Sequence, residues 1–210
     1  MLLYKVLNVD GTPFHGGQGA WELPTTEQPG AWREVTGPLV ACTNGLHLCQ
    51  CDQLIRWLGP AIFTCEYSGE AIHYGEKFVA RKARLHTRLL SWNEYTQRMF
   101  AADCAERALL GASVQDWDVP TICWEAIEAA RNFAGGTNTR QVLASYYHQL
   151  CRYIANGGPP AMLSTIATVS SIAHYAASCA VLYADMAFAA KVTERSWQTA
   201  RLFEYLEGGR

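Results

Sequence analysis

The feature that most constrains this chain is a change in hydrophobic periodicity near Ser91. From Phe78 to Leu89 apolar and polar residues alternate, which is typical of a half-buried β-strand. From Trp92 to Leu109 apolar residues recur every three or four positions, which predicts an amphipathic helix. We therefore expect strands before the change and helices after it.

Upstream of this strand, short apolar segments alternate with turns rich in glycine and proline. Residues 2–9 and 61–67 are predicted strands, ending at Asp10-Gly11 and Ser68-Gly69. Residues 11–31 are a predicted loop, and residues 34–42 are a further extended candidate. Asp52 is predicted to cap a short helix at residues 53–58.

Downstream, three helices are predicted before an alanine-rich tail. Ser91 and Glu94 have capping-box spacing, and Gly111 is expected to end the first helix. The next two are predicted at residues 120–134 and 139–155, followed by one or two helices in residues 161–206. The third helix is expected to bury Leu143, Tyr147, Leu150 and Ile154.

These patterns together predict an α+β fold. A small mixed β-sheet unit occupies residues 1–90, and an alanine-rich helical bundle occupies residues 91–210. No charged side chain occurs between Arg152 and Asp185, but the segment contains several Ser and Thr residues and Pro159-Pro160. We therefore expect a buried helix rather than a membrane span, and contact between chains in a homo-oligomer.

Charge and cysteine content narrow the class of protein. The formal net charge is -2, from 17 basic and 19 acidic residues, and gives no global signal for nucleic acid or an anionic membrane. The eight cysteines occur in a chain whose first residues do not resemble a secretory signal. We therefore expect reduced thiols and a cytoplasmic location.

A cysteine-rich segment holds the weak candidates for a metal site, Cys42, His47, Cys49 and Cys51. Their spacing matches no common zinc motif, so we expect neither a metal nor another cofactor. A Cys49 nucleophile beside His47 is an alternative, but no motif supplies an orienting third group. The alternative without a ligand or a reaction is that His47 forms a hydrogen bond within the turn and that the cysteines are buried.

The predicted strand at residues 78–89 has one basic face, formed by Lys82, Arg84, His86 and Arg88. With Trp57 as an aromatic anchor, this face is the candidate site for a protein partner or an anion. A nucleotide or nucleic acid is an open alternative, as is a solvated outer face with no ligand. The run Gly16-Gly17-Gln18-Gly19 lacks the lysine and hydroxyl of a P-loop.

Two groups of motifs resemble known families. Residues 41–49 fit the pattern C-x-x-G-[FL]-H-x-C, which is similar to an uncharacterised N-terminal domain of phage and bacterial proteins. Residues 91–106, 125–135 and 194–207 resemble an alanine-rich helical immunity-protein family. This resemblance implies a cytoplasmic protein that binds a toxin or a defence component, and it implies no catalytic residues.

The preferred hypothesis is a non-enzymatic binding protein of phage or bacterial origin that sequesters a partner. One alternative is a nucleotide-binding or ADP-ribosyltransferase-like enzyme that uses the N-terminal unit. Its candidate residues are His47, Tyr67, Glu66 and Glu70. Another alternative is a phage structural or accessory protein that assembles through its C-terminal helices.

Overall fold

The chain divides into two units, Met1–Trp92 and Asn93–Arg210. A computed structural model describes residues 2–75, 77–114, 119–157, 162–169 and 188–208. The first unit is built on a sheet of five strands and the second on helices, which confirms the predicted α+β fold class. The predicted boundary at residues 90 and 91 lies two residues before the observed one.

The sheet is antiparallel at every described pairing, and not mixed. Its strands are β1 (Leu3–Leu7), β2 (Arg33–Glu34), β3 (Leu46–Leu48), β4 (Ala61–Tyr74) and β5 (Lys77–Arg88). β4 lies between β1 and β5, and both β2 and β3 pair with the other edge of β5. A bridge between Tyr4 and Cys49 joins β3 back to β1, so the sheet closes on itself.

Two strand predictions need correction. β4 runs past the predicted Ser68-Gly69 turn to Tyr74, because a register irregularity between Ser68 and Ala71 absorbs the turn residues within the strand. The extended candidate at 34–42 contributes only Glu34 to β2, because Gly37-Pro38 interrupts the pairing with β5.

The core of the first unit lies inside the closed sheet. Leu3, Leu7, Phe63 and Leu85 have no exposed surface, and Phe78 is also buried. The start of β5 is buried on both faces, since the consecutive residues Phe78, Val79 and Ala80 are all buried. Alternation therefore predicted the strand but not its two-sided burial.

A short helix, α1 (Cys51–Leu54), follows β3. Its N-cap is Gln50 rather than the predicted Asp52, which lies in the first turn. The Gln50 backbone N–H donates to Gln53 Oε1 at 2.9 Å, so a glutamine replaces the expected carboxylate cap. Trp57 and Leu58, placed by prediction in this helix, lie beyond it.

The second unit consists of five described helices. They are α2 (Glu94–Val114), α3 (Thr121–Ala134), α4 (Arg140–Ala155), α5 (Met162–Val169) and α6 (Phe188–Leu206). Small buried residues of α2 and α3, including Ala102, Ala105 and Ala126, allow close packing around Leu109 and Ile127. The alanine content therefore forms helix contacts within this unit.

Three details of the helical prediction are wrong. Asn93, not Ser91, begins α2, since Thr96 N–H donates to Asn93 Oδ1 at 3.2 Å and Asn93 N–H donates to Thr96 Oγ1 at 3.0 Å. Gly111 lies within α2, where one glycine in a helix of 21 residues is tolerated. Tyr147 is 39% exposed, because the face of α4 that packs is centred on Leu143 and Leu150.

An ion-pair network connects three helices of this unit. Asp103 of α2 accepts hydrogen bonds from Arg131 of α3 at 3.0 Å and from Arg201 of α6 at 2.8 Å. The Tyr205 hydroxyl donates to the same carboxylate at 2.7 Å. Burial, followed by the bond to Asp103, raises the pKa of Tyr205.

The uncharged segment between Arg152 and Asp185 lies largely outside the described residues, including residues 158–161 and 170–187. In the parts of the chain that the structure describes, the helices all lack either the length or the apolar content needed to cross a membrane.

Candidate functional site

A cavity of about 350 Å³ lies in the first unit. Its walls come from β1, from residues 13–21, from Arg33, from residues 42–49, from Trp57 and from Lys77. These segments are far apart in sequence and meet because β3 pairs with β5 and contacts β1. The volume is at the lower end of the range of about 300–1,000 Å³ that is typical of small-molecule sites.

The charged residues of this cavity all carry the same sign. Lys5, Arg33 and Lys77 line it, and the described lining residues include neither Asp nor Glu. Cations within a protein are normally balanced by carboxylates, because an isolated buried charge is costly. Among the described lining residues, the three cations therefore have no carboxylate to balance them.

Lys5 is the most enclosed of these cations. Its Nζ donates to the His47 carbonyl oxygen at 2.8 Å and lies 5.5 Å from the centroid of the Trp21 ring. Both partners are uncharged. Burial lowers the pKa of Lys5, and Arg33 lowers it further, while Cys65 and Cys49 act in the opposite direction. The ammonium thus lies in the cavity wall without a carboxylate.

Arg33 holds the loop that covers the cavity. Its guanidinium donates to the carbonyl oxygens of Gln18, Gly19 and Ala20 at 3.4, 3.3 and 3.0 Å. Its Cζ lies 5.1 Å from the centroid of Trp21, whose ring is therefore contacted by two cations. Only 5% of Trp21 is exposed, so this indole is part of the wall.

His15 holds the other end of the same loop. Its Nε2 lies 2.7 Å from the Trp57 carbonyl oxygen and 3.2 Å from that of Leu58. The two rings of His15 and Trp57 meet edge to face with centroids 5.5 Å apart. The loop is thus held at His15 and at residues 18–20, with Gly16 and Gly17 between these points.

Gly16 and Gly17 have φ angles of 86° and 112°, a region that favours glycine. The backbone N–H groups of Gly16, Gly17 and Gln18 have no acceptor within the described parts of the chain. All three residues line the cavity. They add neutral hydrogen-bond donors to a cavity that already has three cations.

Lys77 is the third cation that lines the cavity. Its Nζ is 5.3 Å from the centroid of the half-buried Trp57 and 3.1 Å from the Cys42 sulfur. Neither contact neutralises the ammonium by a carboxylate. Lys77 is therefore a cation that a ligand in the cavity can approach.

His47 lies beside both lysines. The Cys42 backbone N–H donates to His47 Nε2 at 2.9 Å, so this nitrogen carries the lone pair and Nδ1 carries the proton of the neutral ring. Burial lowers the pKa of His47, and the charges of Lys5 and Lys77 lower it further. The ring therefore stays neutral at pH 7 and helps to position Cys42.

The predicted basic face is largely paired with carboxylates of the same sheet. Lys82 contacts Glu34 at 3.1 Å, while Arg84 and His86 contact Glu66 at 2.7 and 3.5 Å. Arg88 lies opposite Phe63 on β4. Trp57 lies in the cavity wall instead, and the indole that accompanies this face is Trp32, 4.6 Å from Arg84 Cζ.

The residues of the enzyme hypothesis are separated. His47 lines the cavity, but Tyr67, Glu66 and Glu70 are not among the described lining residues. Glu66 pairs with Arg84, and Glu70 pairs with Arg81. Glu66 and Glu70 therefore do not converge with His47 in this cavity.

The cysteine-rich segment is also divided by the fold. Cys42 and Cys51 are exposed, whereas Cys49 is buried and its Sγ lies 3.5 Å from the Tyr4 carbonyl oxygen. Burial raises the pKa of Cys49 to about 12, which makes it a poor nucleophile at neutral pH. Across the described residues, no three His, Cys, Asp or Glu side chains are grouped as metal ligands.

Sequence reasoning missed the charged residues of the cavity, Lys5, Arg33 and Lys77, together with His15 and Trp21. One signal was present, because Lys5 is the only charged residue within the apolar strand Leu3–Leu7. A charge at such a position needs a partner or a function.

Comparisons with protein-family models, with curated proteins and with solved structures found no match.

Proposed function

We propose that this protein is a non-enzymatic binding protein whose N-terminal unit captures a small organic anion. The observation that supports this most directly is the charge of the cavity, since Lys5, Arg33 and Lys77 line it and the described lining residues include no carboxylate. An anion inside would supply the missing counter-charge. Binding would also satisfy the backbone donors of Gly16 and Gly17.

Chemistry on the ligand is not part of this proposal. General acid–base catalysis needs a titratable group within hydrogen-bond reach of the reacting atom. His47 is the lining histidine nearest to both lysines, but its Nε2 already accepts from Cys42. With no lining carboxylate, the cavity has the character of a receptor.

The test is isothermal titration calorimetry on the full chain with inorganic phosphate, citrate and AMP as probes. We expect one of them to bind with a stoichiometry of one and to weaken as salt increases. Lys5→Met should weaken binding by more than about tenfold, because it removes an enclosed charge partner. Lys82→Met, outside the cavity, is the matched control and should bind as the wild type does.

Two outcomes contradict this proposal. One is the absence of binding by every anion in the panel. The other is an affinity that Lys5→Met and Lys77→Met leave unchanged, because the anion would then bind elsewhere.

The sequestration of a protein partner stays a separate prediction, for which Trp32 and Arg84 are the relevant surface pair. Trp32 is 39% exposed and stacks on Arg84, and tryptophan with arginine is common at interface hot spots. Arg84→Glu combined with Arg88→Glu should abolish capture of such a partner in a pull-down from producing cells. If the double variant still captures the partner, the surface around Trp32 and Arg84 is not the protein-binding site.

A further inference from the structure

We infer that the anion is a phosphate monoester that also carries a planar ring and has the size of one mononucleotide. Its phosphate lies near Lys5 and Gly16–Gln18, and its ring stacks on Trp57. This inference rests on the proposed function and names the class of ligand for the same cavity.

The hydrogen-bond donors among the lining residues suit a phosphate. A phosphate monoester carries nearly two negative charges and three strong acceptor oxygens. Lys5 supplies an ammonium whose present partners are a carbonyl oxygen and an indole face. Gly16, Gly17 and Gln18 supply N–H groups that have no acceptor in the described structure. Consecutive backbone amides beside a cation are a recurrent phosphate-binding arrangement.

Glycine at residues 16 and 17 also leaves room for an anion. A Cβ at Gly16 would meet nothing within 4 Å, so the backbone there borders open space. The contacts of His15 and Arg33 hold the loop on both sides of this point. The amides are therefore held in place before a ligand arrives, which reduces the entropic cost of binding.

Trp57 is the surface for a ring. The other lining indole, Trp21, contacts Lys5 and Arg33 and is only 5% exposed, so it offers little free surface to a ring. Trp57 is half-buried, and Lys77 on its face is a cation that can turn towards a phosphate. Aromatic side chains of this kind stack on nucleobases with little dependence on base identity.

The size of the cavity limits the ligand to one ring and one short phosphate group. At about 350 Å³ it is near the lower limit for small-molecule sites. A dinucleotide needs a longer cleft. A bare inorganic phosphate would leave the space beside Trp57 unused.

The test compares inorganic phosphate, ribose 5-phosphate, adenosine, AMP, GMP, CMP, UMP and citrate by calorimetry on the full chain. At least one mononucleotide should bind about tenfold or more tightly than ribose 5-phosphate, because it adds one stacked ring. Adenosine should bind at least about tenfold more weakly than AMP, because it lacks the phosphate.

The Trp57→Leu variant measures how much the ring contributes to affinity, independently of the phosphate. It should reduce the affinity for the best mononucleotide to that for ribose 5-phosphate and leave ribose 5-phosphate binding unchanged. Trp32→Leu removes an indole outside the cavity and should change neither affinity. Thermal unfolding of both variants checks their folding, and the comparison of ligands on the wild type does not depend on them.

Equal affinities of all the mononucleotides and ribose 5-phosphate would overturn the inference about the ring. Binding of citrate without binding of any phosphate ester would overturn the inference about the phosphate while supporting an anion site. If no probe binds, the proposed function itself fails.

Discussion

Among single residues, Lys5 is a charged side chain placed within an otherwise apolar strand. Its neighbours along β1, Leu3, Tyr4, Val6 and Leu7, are all buried core residues. Its ammonium lies beside a carbonyl oxygen and an indole, and burial lowers its pKa. A charge in such surroundings lowers stability unless a ligand compensates it.

We therefore predict that Lys5→Met stabilises the unliganded protein while it removes anion binding. The free energy of unfolding should rise by about 1 kcal/mol, because a methionine of similar length replaces an uncompensated charge. Urea denaturation of the full chain, followed by far-UV circular dichroism, measures this. Lys82→Met should change stability by less than about 0.5 kcal/mol. A marked loss of stability in Lys5→Met would instead indicate a structural lysine.

The lowered pKa of His47 predicts how the stability of this unit depends on pH. Its pKa in the folded protein lies below the ordinary value of 6.5, owing to burial first and then to Lys5 and Lys77. In the interval between the two values the unfolded chain binds more protons than the folded chain. Stability should therefore fall as the pH falls below about 6.5, and it should be fully present above that pH.

Urea midpoints measured between pH 7.5 and pH 5 test this prediction. His47→Gln, which keeps an acceptor for the Cys42 N–H, should make the decline shallower. His73→Gln, outside the cavity, should retain the wild-type slope. An unchanged slope in His47→Gln would show that another group is responsible.

Among the secondary-structure elements, α2 depends on Asp103 for its contacts with α3 and α6. The Asp103 side chain is only 11% exposed and has charged partners on both other helices. Removing one member of such a network leaves the remaining charges partly buried without a partner. A single carboxylate therefore stabilises the packing of three helices.

We predict that Asp103→Ala destabilises the full chain by about 3 kcal/mol, measured by urea denaturation. Glu204→Ala removes the other carboxylate on Arg201, but this glutamate is 58% exposed and its pair is local to α6. It should cost less than about 1 kcal/mol. Similar losses in the two variants would argue against a special role for the buried carboxylate.

Among the same elements, the close approach of β3 to β5 depends on one glycine. Gly45 precedes β3 with a φ of 151°, and a Cβ there would lie 2.2 Å from Val79 Cγ1. Any other residue at position 45 would force Val79 or β3 to shift. The position of His47 and Cys42 in the cavity wall therefore depends on a glycine.

In the whole molecule, each unit has its own hydrophobic core. One core forms inside the sheet of residues 1–92, and the other forms among the helices of residues 93–210. A unit with its own core can fold independently. The cavity is lined entirely by residues of the first unit.

We therefore predict that a fragment of residues 1–92 folds cooperatively and binds the same anion as the full chain, within about threefold in affinity. Circular dichroism during urea denaturation and calorimetry test this. The fragment with Phe63→Ala, a core change that typically costs about 3–5 kcal/mol, should not fold. A disordered wild-type fragment would show that the first unit depends on the second.

Local patterns in the sequence determined much of the fold. The period of two at 78–89 placed β5, and the periods near 3.6 placed α2 and α4, because these repeats follow from backbone geometry alone. Thr139 was correctly predicted at the start of α4, where its hydroxyl accepts from Val142 N–H. A capping side chain bonds to backbone groups only a few residues away, so it can be predicted from the local sequence.

Only the tertiary structure decided where the candidate site lies. Lys5 and Lys77 are 72 positions apart, and the cavity between them exists because β3 bridges β5 and β1. The pairing of β2 and β4 with β5 places Glu34 and Glu66 beside the basic face, where they pair with Lys82 and Arg84. A sequence lists every charge, but the balance of charge at a site depends on which distant residues the sheet brings together.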